Sequence, residues 1–326
     1  MPDARRKRGQ RALTRRRLAI VGLSLFVVVD LALVAFALTR EPDGLAADAD
    51  TSAPSAPVAS SPTPTTTPTA TATPAPAAEA SPLNRMISAV NGTTAWRAEA
   101  GSCTPDAEIV PATLQTTDTA GADWTSSAVT TTVGFAGVDR VQASEAATVF
   151  VVGPAGPSCE TAFAQTFTSG AAFGEYPDRL DASWYVSRGD RAVVHAPFSE
   201  NPAPCASVVD LAVVSDTQAA VLCSDRTVHR TTDAATSWDA GAPVEGAVAI
   251  AAASGTFYVA STGAAGCDGT QIATTSSSAD DVMTPVGCSP ATTDEPGSVA
   301  VSAASGSVWL WAGDDVVVST DGGITW

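Results

Sequence analysis

Ser319-Thr320-Asp321-Gly322-Gly323-Ile324-Thr325-Trp326 is the stretch that decides the architecture. It reads S-x-D-x-G-x-T-W. An aspartate in a tight turn accepts hydrogen bonds from the backbone N–H groups of its own loop. Gly323 supplies a position where positive φ is free. The Ser319 and Thr325 hydroxyls can satisfy further backbone groups, and Trp326 buries a large ring beside the turn. Every one of these roles is structural, so Asp321 is a turn residue and not a catalytic acid. The pattern returns upstream. Thr231 to Trp238 keeps Asp233 and Trp238 in register but has Ala235 where the glycine stands. Asp233 and Asp321 are 88 positions apart, and Thr274 to Asp281 lies midway as a further eroded version. A spacing of 44 is that of one four-stranded sheet plus its connections. Thr116-Thr117-Asp118 to Trp124 is an earlier candidate with one residue too many, and Ser169-Gly170 to Pro177 falls where a copy is expected without the signature.

On these residues the chain resembles the BNR, or Asp-box, repeat propellers: sialidase-like, sortilin-like and photosystem-assembly-factor-like proteins. The resemblance implies an all-β Asp-box β-propeller over residues 83–326, with the boxes in the hairpins between third and fourth strands. The strand pattern agrees. Short β-branched or alternating runs, among them Ala147–Val152, Ala219–Cys223, Ser307–Trp311 and Val316–Ser319, are separated by Gly, Pro, Ser and Asp. Four-strand units drawn around the boxes begin near Arg85, Asp139, Cys205, Glu245 and Gly297. That count is about five blades, with six as the alternative. The last unit stops at Trp326, and a segment near Leu83–Val90 is expected to supply its fourth strand and close the ring.

Charge divides the chain. Residues 1–40 hold nine of the 17 basic side chains and two of the 34 acidic ones, Asp3 and Asp30. The remainder is strongly acidic, which disfavours nucleic acid as a partner. Residues 1–17 read as a basic cytoplasmic tail. Residues 18–38 are an apolar run long enough to span a bilayer as a signal anchor, with a cleaved signal peptide as the alternative. The expected topology is single-pass in the cell membrane, with the N-terminus cytoplasmic and the rest extracellular. Residues 39–82, rich in Pro, Thr and Ala, read as a disordered, extended linker. The single lysine, Lys7, and the abundance of Ala, Thr, Val and Asp are similar to actinobacterial composition.

All six cysteines follow the apolar run, as expected for an oxidising compartment. Fifteen pairings are possible. The unit assignment favours the local ones, Cys205–Cys223 and Cys267–Cys288, which leaves Cys103 with Cys159. No C-x-x-C, His-rich, P-loop or hydrolase motif occurs, and neither a metal nor a cofactor is expected. The two histidines, His195 and His229, read as strand residues. Trp309 and Trp311 share one strand face and read as packing between blades.

One stretch is denser in polar and aromatic groups than the rest: Glu175-Tyr176-Pro177-Asp178-Arg179 through Trp184, Tyr185, Arg188, Arg191 and His195. It reads as an excursion on the rim, with Tyr176, Arg179, Tyr185, Arg188 and Arg191 as candidate binding residues. The expected function is non-catalytic binding or scaffolding of a cell-envelope protein or glycan. The competing classes are a sialidase-like surface glycoside hydrolase, which needs two facing carboxylates in the central funnel, and an envelope assembly factor. No catalytic set is assigned.

Overall fold

The computed structural model describes residues 79–104, 109–127, 129, 133–277 and 282–326. The basic tail, the apolar run 18–38 and the linker up to residue 78 lie outside these. Among the described residues no helix is long and apolar enough to cross a membrane.

The described residues form six antiparallel sheets in chain order. The first contains β1 (Arg85–Ala89), β2 (Ala95–Glu99), β3 (Thr113–Thr117) and β4 (Thr125–Ser126). The second contains β5 (Arg140–Glu145), β6 (Thr148–Ala155), β7 (Glu160–Thr166) and β8 (Gly174–Glu175). The third has three short strands, β9 (Tyr185–Ser187), β10 (Asp190–Ala196) and β11 (Ser199–Pro202). The fourth is β12 (Val208–Val213), β13 (Ala219–Cys223), β14 (Thr227–Thr231) and β15 (Ala242–Pro243). The fifth is β16 (Ala247–Ala253), β17 (Thr256–Thr262), β18 (Thr270–Ser276) and β19 (Thr284–Ser289). The sixth has β20 (Val299–Ala304), β21 (Ser307–Ala312) and β22 (Asp315–Ser319). The first strand of each sheet faces a common axis, and β1 lies beside both β5 and β20, so the sheets close into a six-bladed propeller.

The expected count of about five blades is therefore corrected to six. Of the stretch expected to be a rim excursion, Glu175 to His195, the part from Tyr185 onward forms the first two strands of the third blade. Ring closure also differs from expectation. Arg85–Ala89 is the innermost strand of the first blade and does not complete the sixth. The first and last blades meet face to face. Ala89 N–H donates to Ser302 Oγ at 2.9 Å, and Trp309 Nε1 donates to the Asn91 carbonyl at 2.8 Å. The Arg97 guanidinium lies between the indoles of Trp124, at 4.1 Å, and Trp311, at 4.9 Å.

Composition follows the geometry of a ring. Inner strands converge on the axis, and alanine recurs at their buried positions, Ala89, Ala212, Ala249, Ala251, Ala300 and Ala303, beside Val and Ile such as Val208, Ile250 and Val301. Farther out the blades splay apart, and Trp96, Trp309, Phe257 and Leu310 fill the widening wedges. The first hairpins of the fifth and sixth blades turn through Ser254-Gly255 and Ser305-Gly306, each pair at positive φ. Such turns match the twist of the flanking strands.

The turn at 319–326 forms as its residues dictate. Ser319 Oγ takes the Gly323 N–H at 2.8 Å and donates to Asp321 Oδ1 at 2.7 Å. Asp321 Oδ1 accepts the Thr325 N–H, and its Oδ2 accepts the Thr325 hydroxyl. Bonding chiefly to Thr325 holds the Asp321 carboxyl down at about 2. Thr231, Asp233 and Ser237 repeat the arrangement, with Ala235 at φ +62°. The same turn also follows β3, from Thr117 and not Thr116. There Gly121 N–H reaches Thr117 Oγ1, Asp123 N–H reaches Thr119 Oγ1, and Trp124 Nε1 reaches the Gly121 carbonyl. It follows β7 as well, with Thr166, Thr168, Gly170 and a buried Phe173. A threonine hydroxyl stands in for the aspartate at both places, because it too accepts a backbone N–H.

Three disulfides form, Cys103–Cys159, Cys205–Cys223 and Cys267–Cys288, as the local pairing expects. The first joins the first two blades.

Candidate functional site

The six inner strands surround an axial chamber of about 390 Å³. Its far rim, where the inner strands end, carries Ser144, Ser254 and Ser305, all exposed. Its near end, where they begin, is crossed by a strap, residues 80–84. Ala80 N–H donates to the Ser224 carbonyl of the fourth blade at 2.7 Å. The Leu83 carbonyl accepts from Arg188 of the third blade at 2.7 Å. Asn84 N–H donates to Gly297, at the start of the sixth, at 2.9 Å. The third and fourth blades lie across the ring from the sixth and first, so the strap passes over the axis. Ala80 and Leu83 are buried there, although sequence composition places Ala80 in the linker.

Beneath the strap lies a cluster of opposite charges: Arg188, Asp139, Arg191, Asp210 and Arg140. Each carboxylate feels two of the arginines, Asp139 those of Arg188 and Arg191, Asp210 those of Arg140 and Arg191. The set carries three positive and two negative charges in a domain that is otherwise strongly acidic. These groups also stitch the blades together. Asp139 Oδ1 accepts the Arg188 N–H at 3.0 Å, joining the second blade to the third. Arg188 Nε donates to the Val138 carbonyl at 2.9 Å. Arg191 Nη1 donates to the Val208 carbonyl at 2.9 Å, joining the third blade to the fourth. Asp210 accepts the Ile250 N–H at 2.8 Å on one oxygen and the Leu211 N–H at 2.8 Å on the other, joining the fourth to the fifth. These bonds add to the apolar packing of Trp184, Val186 and Val194 against Val208, Ala219 and Val221 of the fourth blade.

Burial outweighs pairing throughout the cluster. It pushes the Asp139 and Asp210 carboxyls up despite their backbone donors and arginine neighbours. It lowers Arg140 and Arg188 to about 10, with Arg191 adding to the effect on Arg188. It lowers Arg191 as well. Two buried polar atoms of the cluster have no hydrogen-bond partner, Asp139 Oδ2 and Arg140 Nε. The Asp139 side chain is only 1% exposed.

The five candidate rim residues divide between two places. Tyr176 and Arg179 sit at the outer edge of the second blade. Arg179 lies 5.4 Å over the Tyr176 ring and donates to Gln165 Oε1 at 2.6 Å. Phe167, half exposed, meets Tyr176 edge-on at 6.2 Å. Tyr185 is buried in β9 and stacks on His195 with ring centres 4.1 Å apart. Burial, with Glu200 adding to it, pushes its phenol up to about 12. Arg188 and Arg191 point into the chamber.

No family model and no curated protein matches the chain. Among solved structures it is similar to YCF48 bound to D1 peptide, at 12% identity and a TM-score of 0.27, over 74% of this chain and 66% of that one. It is similar to YCF48 from Cyanidioschyzon merolae at 11% identity and a TM-score of 0.37, over 71% and 80%. It is similar to a GH74 xyloglucanase from Xanthomonas campestris at 14% identity and a TM-score of 0.29, over 74% and 37%. The chain thus spans just under two thirds of the first of these and little more than a third of the xyloglucanase.

Sequence reasoning missed Asp139, Arg140 and Asp210. A signal for them exists. Asp210 interrupts the apolar run Val208-Val209-Asp210-Leu211-Ala212-Val213, and Asp139-Arg140 stands at the equivalent place after Val138. Charge inside an inner strand is expensive unless it is partnered.

Proposed function

We propose that the chain is a membrane-anchored, extracytoplasmic propeller that binds a protein or glycan of the cell envelope without transforming it. One observation carries the non-catalytic part. A glycosidase needs one carboxyl free to give a proton and a second free to attack or to activate water. Of the two chamber carboxylates, Asp210 has both oxygens engaged by backbone N–H groups, and Asp139 has one. The basic N-terminus followed by residues 18–38, with three disulfides beyond them, supports the anchored, oxidising location.

The test is capture from an envelope extract by the full-length chain in detergent, with soluble reducing sugar assayed in the same tube. Capture of a defined protein or glycan without sugar release is the expected result. Release of sugar that is lost in Asp139→Asn would replace this reading with a hydrolase.

A further inference from the structure

Among the described residues six large apolar side chains stand exposed: Ile109, Val110, Phe167, Phe198, Val282 and Ile324. Ile109 and Val110 share one loop, between β2 and β3, at the strap end of the ring. The other four stand at the opposite end, each in a different blade. Phe167, Val282 and Ile324 follow the third strands of the second, fifth and sixth blades, and Phe198 tips the β10–β11 hairpin of the third. Single exposed apolar residues are ordinary, but a set gathered on one end of a domain marks an interaction surface. This surface is also prebuilt. The turn after the third strand is bonded to the first hairpin of its own blade four times over. Ala120 N–H donates to the Thr93 carbonyl at 2.9 Å, Ser169 to Ala147 at 3.1 Å, Ala234 to Thr217 at 3.0 Å and Ser277 to Gly255 at 2.9 Å. Asn201 Nδ2 donates to the Ala234 carbonyl at 3.2 Å and ties the hairpin of Phe198 to the fourth blade. A surface already ordered spares a partner the entropy of ordering its loops.

Charge selects the partner. The same turns carry Asp118, Asp123, Glu145, Asp216, Asp233 and Asp321, all exposed, and their described residues include no Lys, Arg or His. Bonds from Ser237 and Thr325 hold the Asp233 and Asp321 carboxyls low, so both are charged at neutral pH. Arg179 is close by at the outer edge of the second blade, where Gln165 and the Tyr176 ring already engage its guanidinium. A face that is both apolar and anionic repels anionic lipid and nucleic acid and draws a cationic partner. Apolar side chains spread over several blades suit a polypeptide, which presents many side chains along its length, better than a single sugar ring.

We propose that the end of the propeller opposite the strap is a docking surface for a basic segment of a partner protein. Apolar side chains of that segment meet Phe167, Phe198, Val282 and Ile324, and its Lys and Arg side chains face the turn carboxylates. This rests on the reading of the chain as a binding protein, and it names both the partner's chemistry and the end of the ring that receives it. The strap end then faces the chain ahead of residue 79, and the docking end faces away from it.

The experiment is fluorescence anisotropy of labelled synthetic peptides with the full-length chain in non-ionic detergent, against a detergent blank. The first peptide repeats Lys-Phe-Ser-Lys-Leu-Gly. The second has Ser in place of Phe and Leu, and the third has Glu in place of Lys. The first is expected to bind about tenfold more tightly than the second, through apolar burial, and the third is expected not to bind. Changing Asp118, Asp123, Glu145 and Asp216 together to their amides should weaken the first peptide about tenfold, because exposed charge pairs each contribute modestly. The same change at Glu160, Asp268, Asp294 and Asp314, exposed acids of the strap end, should matter less than about twofold at about 0.15 M salt, where distant charges are screened. Equal losses from the two ends overturn the proposal, since they report only the net charge of the domain. Phe167→Ser, Phe198→Ser and Ile324→Ser together should bring the first peptide down to the affinity of the second. If that variant does not fold, Phe198→Ser alone, with an expected loss of about threefold, decides the matter. Affinity that these substitutions leave unchanged overturns the proposal, as does no binding of the first peptide at about 1 mM. If the altered chains still capture the envelope partner as well as the unaltered one, the binding-module reading stands and this surface assignment falls. If the peptides behave as expected while envelope capture fails, the surface stands and the envelope reading falls.

Discussion

Replacing Arg188 by Met removes the side chain that holds the third blade against the second and against the strap. The substitution deletes the bonds to the Val138 and Leu83 carbonyls, 2.9 and 2.7 Å long. It leaves Asp139, whose side chain is 1% exposed, opposite Arg191 alone. Removing one member of a buried ion pair costs about 3–5 kcal/mol, because the other charge stays buried. Arg188 is itself a quarter exposed, so the lower end, about 3 kcal/mol, is expected. For a domain of this size that is a fall in Tm of about 6–12 °C. The loss also has a pH signature. Burial already raises the Asp139 carboxyl in the fold, and Arg188 opposes that rise through its N–H and its charge. Without the guanidinium the folded-state pKa climbs further above its unfolded value. The charged form is then the penalised one, so the deficit is full at neutral pH and shrinks as pH falls through the raised pKa. All seven tryptophans lie within residues 96–326, so near-ultraviolet circular dichroism of the full chain reports this domain. Melting the variant and the unaltered chain between pH 5 and 8 gives both quantities. A loss below about 1 kcal/mol, or one that stays constant on acidification, refutes the reasoning.

Four further outcomes are expected. Gly323→Ala places a methyl at φ +97°, 3.3 Å from Ile272 Cγ2, and should cost about 1–2 kcal/mol in chemical denaturation. Ala235→Gly, at φ +62° in the corresponding turn, should change stability by less than about 1 kcal/mol, because relief of strain is offset by a freer unfolded chain. Replacing Cys103 and Cys159 together by Ser opens the longest disulfide loop, 56 residues, and should cost about 4 kcal/mol. Opening either of the others, 18 and 21 residues, should cost about 3 kcal/mol under the same denaturation assay. Asp321 has the opposite pH sign to Asp139. Its folded pKa is lowered to about 2, so its contribution is present above the unfolded value near 3.9 and disappears as pH falls towards 2. Asp321→Asn should flatten that part of an acid titration followed by tryptophan fluorescence.

The propeller was legible because its turns repeat a local physical solution. Asp321, Gly323 and Trp326 dictate the geometry of their hairpin wherever they sit, and the copy at Thr231 needs only Asp233 and Trp238 to be recognised. The copies at Thr117 and Thr166 were harder, since a threonine hydroxyl performs the carboxylate's task and leaves no distinctive letter. The cysteines were legible for a related reason: neighbouring loops on one end of a ring favour local pairing. The third blade was not legible. It has no box turn, its inner strand is three residues long, and Arg188, Asp190, Arg191, His195 and Glu200 give it the composition of a solvated loop. The chamber cluster was only half legible for the same reason. Arg188 and Arg191 stood out as surface-like residues, whereas their pairing with Asp139 and Asp210 depends on which blades are neighbours, and that followed only from the count of six.

The strap changes how the domain answers to force. A pull on the chain ahead of residue 79 does not peel β1 from its sheet. It first loads the bond from Ala80 to the fourth blade, then the Arg188 grip on Leu83, then the bond from Asn84 to the sixth. Tension entering at one point is thus spread over anchors on opposite sides of the axis. It draws those blades toward one another, where tension applied directly to an innermost strand would unzip the ring one hydrogen bond at a time. Load that enters at residue 79 is in this way shared among the fourth, third and sixth blades before it reaches the first.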